Sequence, residues 1–348
     1  MNNAEIMGSD AAQPELRVGA IRLSGRAFLA PMAGVTDPAM RRIAERYGAN
    51  VTVSEMITAA GVARGDRETA LRLGQSGDTN SAPRVIQIAA RTPSEIAVAA
   101  KHAEDAGADW VDINMGCPCK RVTGGLAGAA LMRDLDQAAA LIAAARAAIR
   151  APISVKMRLG WDDAARNAPE LARRAEAEGA ALVTVHGRTR QQFYTGAANW
   201  SAIAEVKRAV SIPVVANGDC RSPEDAAAML KASRADAVMI GRAAQGRPWL
   251  VGDVAHYLAT GRLRATPAFE ARGEAARAHL DGLLSQMGAV PGLRHARKHL
   301  AAYVDDAFGA AGAQIADLRR ALVTANCPQE AFRLIDAIFT SGMQEAAA

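Results

Sequence analysis

The stretch Trp110-Val111-Asp112-Ile113-Asn114-Met115-Gly116-Cys117-Pro118 contains the pattern on which the fold prediction rests. Apolar residues lead up to Asn114, and Gly116 and Pro118 then break the segment. A short apolar run that stops at a glycine and a proline is typical of a buried strand that ends at an exposed edge. Cys117 is therefore expected on a tight turn at that edge. Because free cysteine is among the most buried residue types, a simple packing role is an equal alternative from these residues alone.

The same succession of strand, polar or glycine-bearing end and alanine-rich helix repeats from Phe28 to Gly241. Eight strands are predicted, centred on Phe28–Ala30, Val51–Val53, Val85–Ile88, Val111–Ile113, Ile153–Val155, Leu182–Val185, Val214–Ala216 and Val238–Ile240. Such alternation indicates parallel βαβ units, and eight of them have the size of a (β/α)8 TIM barrel. The main rival is a doubly wound open sheet. The turn after the first strand, Pro31-Met32-Ala33-Gly34, lacks the GxGxxG that such a sheet would carry, so the barrel is preferred.

After Gly246 the predicted strands disappear and helical patterns continue towards Phe339. The sequence therefore predicts an α/β fold, a TIM barrel followed by a smaller C-terminal all-helical domain. We expect a flexible N-terminal tail over residues 1–17, the barrel over 18–246 and the helical domain over 247–348.

Composition fits an ordinary globular protein, with 348 residues, 50% of them hydrophobic and 22% charged. No apolar run approaches the roughly 18 residues of a membrane span, and the polar start of the chain does not resemble a signal peptide. Four cysteines are too few for a disulfide framework in a chain of this size. We therefore expect a cytoplasmic protein with no membrane contact. The net charge of +5 permits a polyanionic partner without requiring one.

The predicted strand ends carry an unusual number of polar side chains. Active sites of TIM barrels lie at the carboxyl ends of the strands, so these groups should meet at one rim. A single polar residue at a strand end is usually a helix cap, which is what we expect of Asp37 and Ser222. Amide, cationic, imidazole and thiol groups from nearly every strand instead indicate a ligand site. They include Gln87, Asn114, Cys117, Lys156, Arg158, His186, Arg188, Asn217, Asp219 and Arg242.

The last two strand ends, Asn217-Gly218-Asp219 and Gly241-Arg242, indicate the kind of ligand. TIM barrels commonly bind a phosphate there, since glycines let the backbone approach and an arginine adds a charge-assisted contact. Lys156 is expected in the barrel mouth, where it would stabilise negative charge on a cofactor ring. Gln87 and Asn114 would contribute amide contacts to ring edges. This set suits a phosphorylated flavin better than a dinucleotide.

The region from Arg262 to His299 is basic, with seven Lys or Arg residues against three acids. A solvated helix face is the usual explanation of such a region. Arg294, Arg297 and Lys298 are denser than that explanation predicts, and their spacing puts them on one helix face. Binding to a nucleic-acid backbone is therefore a second interpretation.

Taken together, the motifs resemble those of the tRNA-dihydrouridine synthases, with the greatest likeness to the bacterial B-type members. The resemblance covers roughly residues 18 to 340. It rests on Pro31-Met32-Ala33-Gly34-Val35-Thr36-Asp37, Ile113-Asn114-Met115-Gly116-Cys117-Pro118, Val155-Lys156-Met157-Arg158-Leu159-Gly160-Trp161, Val185-His186-Gly187-Arg188-Thr189, Ala216-Asn217-Gly218-Asp219, Ile240-Gly241-Arg242 and Ala296-Arg297-Lys298-His299.

The resemblance implies an FMN enzyme that reduces the C5–C6 double bond of a D-loop uridine in tRNA, with NADPH as reductant. Hydride would pass from reduced FMN to C6, and Cys117 would donate the proton to C5. The implied substrate contacts are Asn114, Arg188, Arg294, Arg297 and Lys298, with the uracil contact open between His186 and Arg188. The implied FMN contacts are Pro31, Met32, Ala33, Gln87, Lys156, His186, Asn217, Gly218, Asp219, Gly241 and Arg242.

Three other interpretations compete with this one. A flavin barrel acting on a free pyrimidine would share the flavin site but would not need the basic helical region. A non-catalytic RNA-binding protein would not need the full set of rim residues. A metal site at Cys117-Pro118-Cys119 lacks a second ligand pair at the usual spacing, so we expect no metal. No obligate protein partner is indicated.

Overall fold

The computed structural model describes residues 15–73, 82–309 and 313–347, so nearly all of the expected tail 1–17 lies outside the described residues. The strands are β1 (Arg17–Val18), β2 (Ile21–Arg22), β3 (Ala27–Leu29), β4 (Val51–Val53), β5 (Ile57–Thr58), β6 (Arg84–Ala89), β7 (Trp110–Met115), β8 (Ile153–Arg158), β9 (Ala180–His186), β10 (Val214–Asn217) and β11 (Ala237–Ile240).

The helices are α1 (Pro38–Arg46), α2 (Ala59–Arg64), α3 (Arg67–Leu73), α4 (Pro93–Asp105), α5 (Lys120–Thr123), α6 (Leu135–Ala148), α7 (Ala168–Ala177), α8 (Trp200–Ala209), α9 (Pro223–Ser233), α10 (Leu250–Thr260), α11 (Phe269–Met287), α12 (Ala289–Phe308), α13 (Ala313–Thr324) and α14 (Pro328–Ala347). Short 3-10 turns occupy Gly128–Arg133 and Arg242–Ala244.

The eight predicted strands form a closed parallel barrel. Their order is β4-β3-β11-β10-β9-β8-β7-β6, and pairing of β6 with β4 completes the ring. The predicted TIM barrel is therefore confirmed. Two features were not predicted: β1 and β2 form an antiparallel ribbon, and β5 adds a parallel pairing to β6.

The alternation of side chains along β7 shows how the sequence builds this barrel. Val111 and Ile113 pack outwards into the large cluster between strands and helices. Trp110 belongs to a second cluster, which includes Phe28 and the ribbon residue Val18. Successive strand residues point to opposite faces, so Asp112 and Asn114 share the inner face with Trp110. Polar groups buried on that face can support a site in the barrel mouth.

The helices after the barrel form a separate apolar cluster, as predicted for the C-terminal region. Leu280, Leu300 and Ile335 are at its centre, and it also includes Ala39 and Ile43 from α1 of the barrel. Helix α10 packs instead on the barrel cluster, through residues that include Val251. The predicted boundary at 246 and 247 stays a prediction, and this packing favours a limit after α10.

A helix must be both long and apolar to cross a bilayer. Within the residues that the structure describes, no helix meets both conditions.

Candidate active site

A pocket of about 470 Å³ opens at the carboxyl ends of the barrel strands. This is within the usual range for a small-molecule site. Its lining includes most of the expected flavin contacts, namely Pro31, Met32, Lys156, His186, Asn217, Gly218, Asp219, Gly241 and Arg242. Ala33 and Gln87 are not among the lining residues. Ala33 is exposed on the loop after β3, whereas Gln87 is buried below the pocket.

Gly218 follows β10 and Gly241 follows β11, and neither adds a side chain to the pocket wall. Gly218 has φ +118°, and a Cβ there would lie 2.7 Å from the Cβ of Ala198 and 3.0 Å from Cδ2 of His186. At Gly241 the nearest atom to an added Cβ would be Sδ of Met32, at 3.7 Å. A side chain at either position would occupy space that a ligand needs.

Lys156 supplies a partly buried cation to this pocket. Its Nζ donates to Oδ1 of Asn217 at 3.1 Å, and Asn217 in turn donates from Nδ2 to the carbonyl of Met239 at 2.8 Å. Burial, with a further contribution from Arg158, lowers the pKa of Lys156 to about 8. The ammonium group is therefore mostly protonated at neutral pH and held in one orientation.

A chain of buried hydrogen bonds connects the floor of the barrel with the cysteine loop. Ser154 donates to Oδ1 of Asp112 at 2.5 Å, and Gln87 donates to Oδ2 at 2.7 Å. Asn114 donates to Oε1 of Gln87 at 2.8 Å, and its own Oδ1 accepts from the backbone N–H of Cys117 at 2.9 Å. Burial raises the pKa of Asp112 to about 6. Gln87 and Asn114 are thus engaged with each other and with the loop.

The Cys117 loop is also fixed from the other side. The guanidinium of Arg158 donates from Nε to the carbonyl of Gly116 at 2.8 Å, and its Nη1 donates to the carbonyls of Thr189 and Phe193, each at 2.9 Å. The Cys117 thiol is partly exposed, and burial raises its pKa. It is therefore a protonated thiol at neutral pH. Cys117 is not among the residues that line the pocket, but it lies close enough to Lys156, which does, for their charges to interact.

Arg188 is buried, and its guanidinium is engaged by other groups of the protein. It is 1% exposed, and its guanidinium makes a bidentate pair with Asp219 at 3.0 and 2.6 Å. It also donates to the carbonyls of Thr195 and Gly196 at 3.1 and 2.6 Å. This geometry assigns Arg188 to holding the loop after β9 and does not support the predicted substrate contact.

His186 and Asp219 line the pocket beside Arg242. The Asp219 carboxylate accepts from Arg188 and, at 3.3 Å, from Arg242. It therefore orients these arginines, and as an acceptor it offers no hydrogen bond to a phosphate. Burial, reinforced by the charge of Lys156 and neighbouring arginines, lowers the pKa of His186 well below its usual value. The His186 ring is consequently neutral at pH 7.

Tyr194, like Arg221 and Arg247, is a pocket residue that the sequence analysis missed. It is 50% exposed, and its ring lies 4.8 Å from the guanidinium carbon of Arg242 and 5.5 Å from that of Arg158. An exposed aromatic between two cations is a surface on which a flat ligand can stack. Its loop has no recognisable motif, so no sequence signal could have found it.

The three basic residues predicted to share one face of α12 do not all do so. Arg294 and Lys298 are exposed and line a common depression on the surface. Arg297 turns the other way and donates to the carbonyl of Ala325 at 3.1 Å. Lys298 extends towards the loop after β3, since a Cβ on Gly34 would lie 3.9 Å from its Nζ.

The structure also bears on the alternative of a metal site at Cys117 and Cys119, for which the sequence offers no further ligands. Within the described part of the chain, the one group of metal-binding side chains close enough to share an ion lies elsewhere, at Asp37, His295 and His299.

Comparison with known proteins agrees with this geometry. The chain is 44% identical over 314 residues to a tRNA-dihydrouridine synthase B of Xanthomonas campestris, covering 90% of this chain and 92% of that protein. It is 47% identical over 280 residues to a probable tRNA-dihydrouridine synthase of Rhizobium leguminosarum, covering 80% of this chain and 85% of that protein.

A solved structure of histamine dehydrogenase from Rhizobium sp. 4-9 matches with a TM-score of 0.57 at 14% identity, over 95% of this chain and 64% of that one. At this identity the match concerns the fold alone. The sequence profile of the dihydrouridine synthase (Dus) family matches residues 28–341. With nine-tenths of its length aligned to a curated relative and the profile matched across barrel and C-terminal helices, the chain belongs to the dihydrouridine synthase family.

Proposed function

We propose that this protein is a cytoplasmic, FMN-dependent tRNA-dihydrouridine synthase that reduces the C5–C6 double bond of a D-loop uridine with NADPH as reductant. The observation that carries the proposal is a cationic, glycine-walled pocket whose Lys156 lies close enough to the protonated Cys117 thiol for their charges to interact. Family membership supplies the reaction class. The thiol supplies a proton donor of the kind that the reaction requires.

The pocket residues fit a phosphorylated flavin. Gly218 and Gly241 leave room for a phosphate at the backbone, and the exposed Arg242 guanidinium can pair with it. Lys156 places a positive charge deep in the pocket, where it would balance negative charge on the reduced ring. Tyr194 and Met32 lie beside this space and would contact the flat faces or edges of the ring.

Reduction of a uracil ring needs two electrons and two protons. A bound FMN, reduced by NADPH, would supply the hydride for C6. Addition of hydride at C6 would shift the electron pair of the double bond to C5, where it is delocalised with the C4 carbonyl as an enolate. C5 must then be protonated. Cys117 can donate that proton because its raised pKa keeps the thiol protonated at neutral pH. Asn114 and Arg158 hold the loop, so the sulfur is presented in a fixed position.

A uridine in folded tRNA reaches such a pocket only after leaving its stack. The energy for that step has to come from contacts elsewhere, and phosphates are the usual source. Arg294 and Lys298 are exposed on α12, and Lys298 approaches the loop after β3 that borders the pocket. We therefore assign these two side chains to the tRNA backbone and give Arg297 a structural role.

The proposal is tested with tRNA isolated from cells that lack dihydrouridine synthases. The flavin-loaded parent with NADPH should form dihydrouridine, mapped by mass spectrometry, at a D-loop position, with position 17 favoured by the resemblance to B-type members. Cys117→Ala should keep FMN and its reduction by NADPH but lose most tRNA reduction. Cys119→Ala, a thiol two residues away and exposed, is the matched control and should behave like the parent.

Three results would contradict parts of the proposal. Reduction of free uracil or uridine with no activity on tRNA would favour a free-base reductase. A purified protein that stays colourless after reconstitution with FMN would favour a non-catalytic RNA-binding protein. Reversal of the two cysteine phenotypes would move the proton donor to Cys119.

A further inference from the structure

A group of histidines surrounds one buried carboxylate, away from the flavin pocket. Asp37 is 0% exposed, and its Oδ1 accepts from the backbone N–H of Met40 as the cap of α1. Its Oδ2 faces the Nε2 atoms of His299 at 3.2 Å, His279 at 3.4 Å and His295 at 3.7 Å. Three imidazoles from α11 and α12 therefore converge on one carboxylate oxygen of the barrel.

Two of these imidazoles have buried nitrogens that hydrogen bonds leave unsatisfied. Both ring nitrogens of His299, which is 1% exposed, and Nε2 of His295 have no hydrogen-bond partner of good geometry. Buried polar atoms are rarely left this way unless a water or an ion completes them.

We propose that Asp37, His295 and His299 bind a divalent zinc-class metal ion at the junction between the barrel and the C-terminal helices. Their ligand atoms all lie within 4.8 Å of one another. Zinc bonds of about 2.0–2.2 Å to nitrogen and oxygen place neighbouring tetrahedral ligands roughly 3.3–3.5 Å apart. The distances of 3.2 and 3.7 Å from Asp37 to the two histidines therefore need only small adjustments.

His279 supports the proposed ligands from behind. Its Nδ1 lies 3.3 Å from the hydroxyl of Tyr303, which is 1% exposed, while its Nε2 faces Asp37. A buried hydroxyl–imidazole–carboxylate arrangement of this kind orients a ligand carboxylate. A fourth coordination position is left for water, and His295, with 22% of its side chain exposed, connects the ion to solvent.

The surroundings set the expected affinity. His295 lines the surface depression of about 410 Å³ on α12, which gives an ion a route from solvent. The Asp37 carboxylate also interacts with the charges of Arg41 and Lys298. Because these cations already balance part of its charge, we expect micromolar binding of Zn²⁺ and not the tighter binding of a closed structural site.

The test uses tag-free, flavin-loaded protein that has been treated with EDTA and dialysed. Titration with ZnCl₂ against a chromophoric chelator should give one ion per chain, and the melting temperature should rise with added Zn²⁺. His295→Ala should weaken binding by about tenfold or more and abolish the melting shift, because it removes one of three ligands. His102→Ala, on the exposed face of α4, is the matched histidine control and should bind like the parent.

Exposed thiols are the main competing ligands, so a Cys119→Ser/Cys327→Ser variant is titrated in parallel. It should keep the stoichiometry, and Co²⁺ in the parent should show no thiolate charge-transfer band. The proposal is overturned if the parent binds no stoichiometric Zn²⁺, if His295→Ala binds as well as the parent, or if the serine variant loses binding. Circular dichroism and flavin absorbance check folding, and His295→Gln is used if the alanine variant is unfolded.

Discussion

Asn114 is expected to be the residue that positions Cys117, the proposed proton donor, and Asn114→Ala tests this directly. The side chain is 9% exposed, and its Oδ1 accepts from the N–H groups of Gly116 at 3.2 Å and Cys117 at 2.9 Å. Its Nδ2 donates to Gln87 at 2.8 Å. Alanine would leave two backbone donors and one amide oxygen without their partner.

The magnitude follows from these three bonds. A buried polar group left unsatisfied costs about 1–3 kcal/mol, but the loop lies beside the open pocket and can take up water. We therefore expect the free energy of unfolding to fall by about 2–4 kcal/mol in total. A displacement of a reacting group by an ångström costs on the order of 100-fold in rate. Single-turnover reduction of tRNA should slow by about that factor, while the rate of flavin reduction by NADPH should not change.

The assay pre-reduces the enzyme anaerobically, mixes it with excess tRNA and follows flavin reoxidation, and urea denaturation gives the stability. Asn199→Ala is the matched control, because Asn199 caps α8 at the surface by accepting from Ala202 at 2.9 Å. Loss of that cap should cost about 1 kcal/mol with no effect on tRNA reduction. An Asn114→Ala enzyme that is destabilised but reduces tRNA at the parent rate would refute the assigned role.

Two further predictions concern the cations. Since burial lowers the pKa of Lys156 to about 8, FMN affinity of the apoprotein should be constant below pH 7 and should fall by up to about tenfold per pH unit as the ammonium deprotonates above pH 8. Lys156→Met should bind FMN weakly with no such pH dependence in fluorescence titrations, and an unchanged profile would remove Lys156 from the site. Replacing Arg294 and Lys298 by Gln should weaken tRNA binding and flatten the dependence of log K on log salt by roughly 0.7–0.9 for each phosphate that is no longer neutralised. Arg297→Gln should keep the parent slope because its guanidinium holds Ala325, and equal slopes for both variants would contradict the assignment.

The barrel could be predicted from the sequence because its signal is local and repeated. Each of the eight strands is an apolar run that ends at a polar or glycine residue, and all eight are found in the closed sheet. Asp37 and Ser222 were predicted as helix caps, and both accept from the backbone of the helix that follows. The β5 strand was missed because a pair of residues, Ile57 and Thr58, carries no periodic pattern.

The site was harder to predict where the role of a side chain depends on contacts with distant segments. Position in a strand-end motif suggested that Arg188 binds substrate, but a carboxylate and two loop carbonyls occupy its donors. Helical spacing predicted that Arg297 shares a face with Lys298, but Arg297 instead donates to the carbonyl of Ala325, which follows α13. The histidines around Asp37 come from positions more than 240 residues further on, so no spacing rule could associate them.

Helix α1 belongs to two cores at once, and this limits how the molecule can change. One of its sides packs with the barrel through Met40 and Ala44, and the other packs with the C-terminal helices through Ala39 and Ile43. A hinge between the two parts would have to separate α1 from one of these clusters, so we expect the distance from Cys117 to the basic residues of α12 to stay nearly constant. On the proposed function, this distance determines how far along the tRNA backbone the reduced uridine lies from the phosphates that α12 binds. A change of target position would then require a new surface on α1, and changes confined to the flavin pocket would leave the target unaltered.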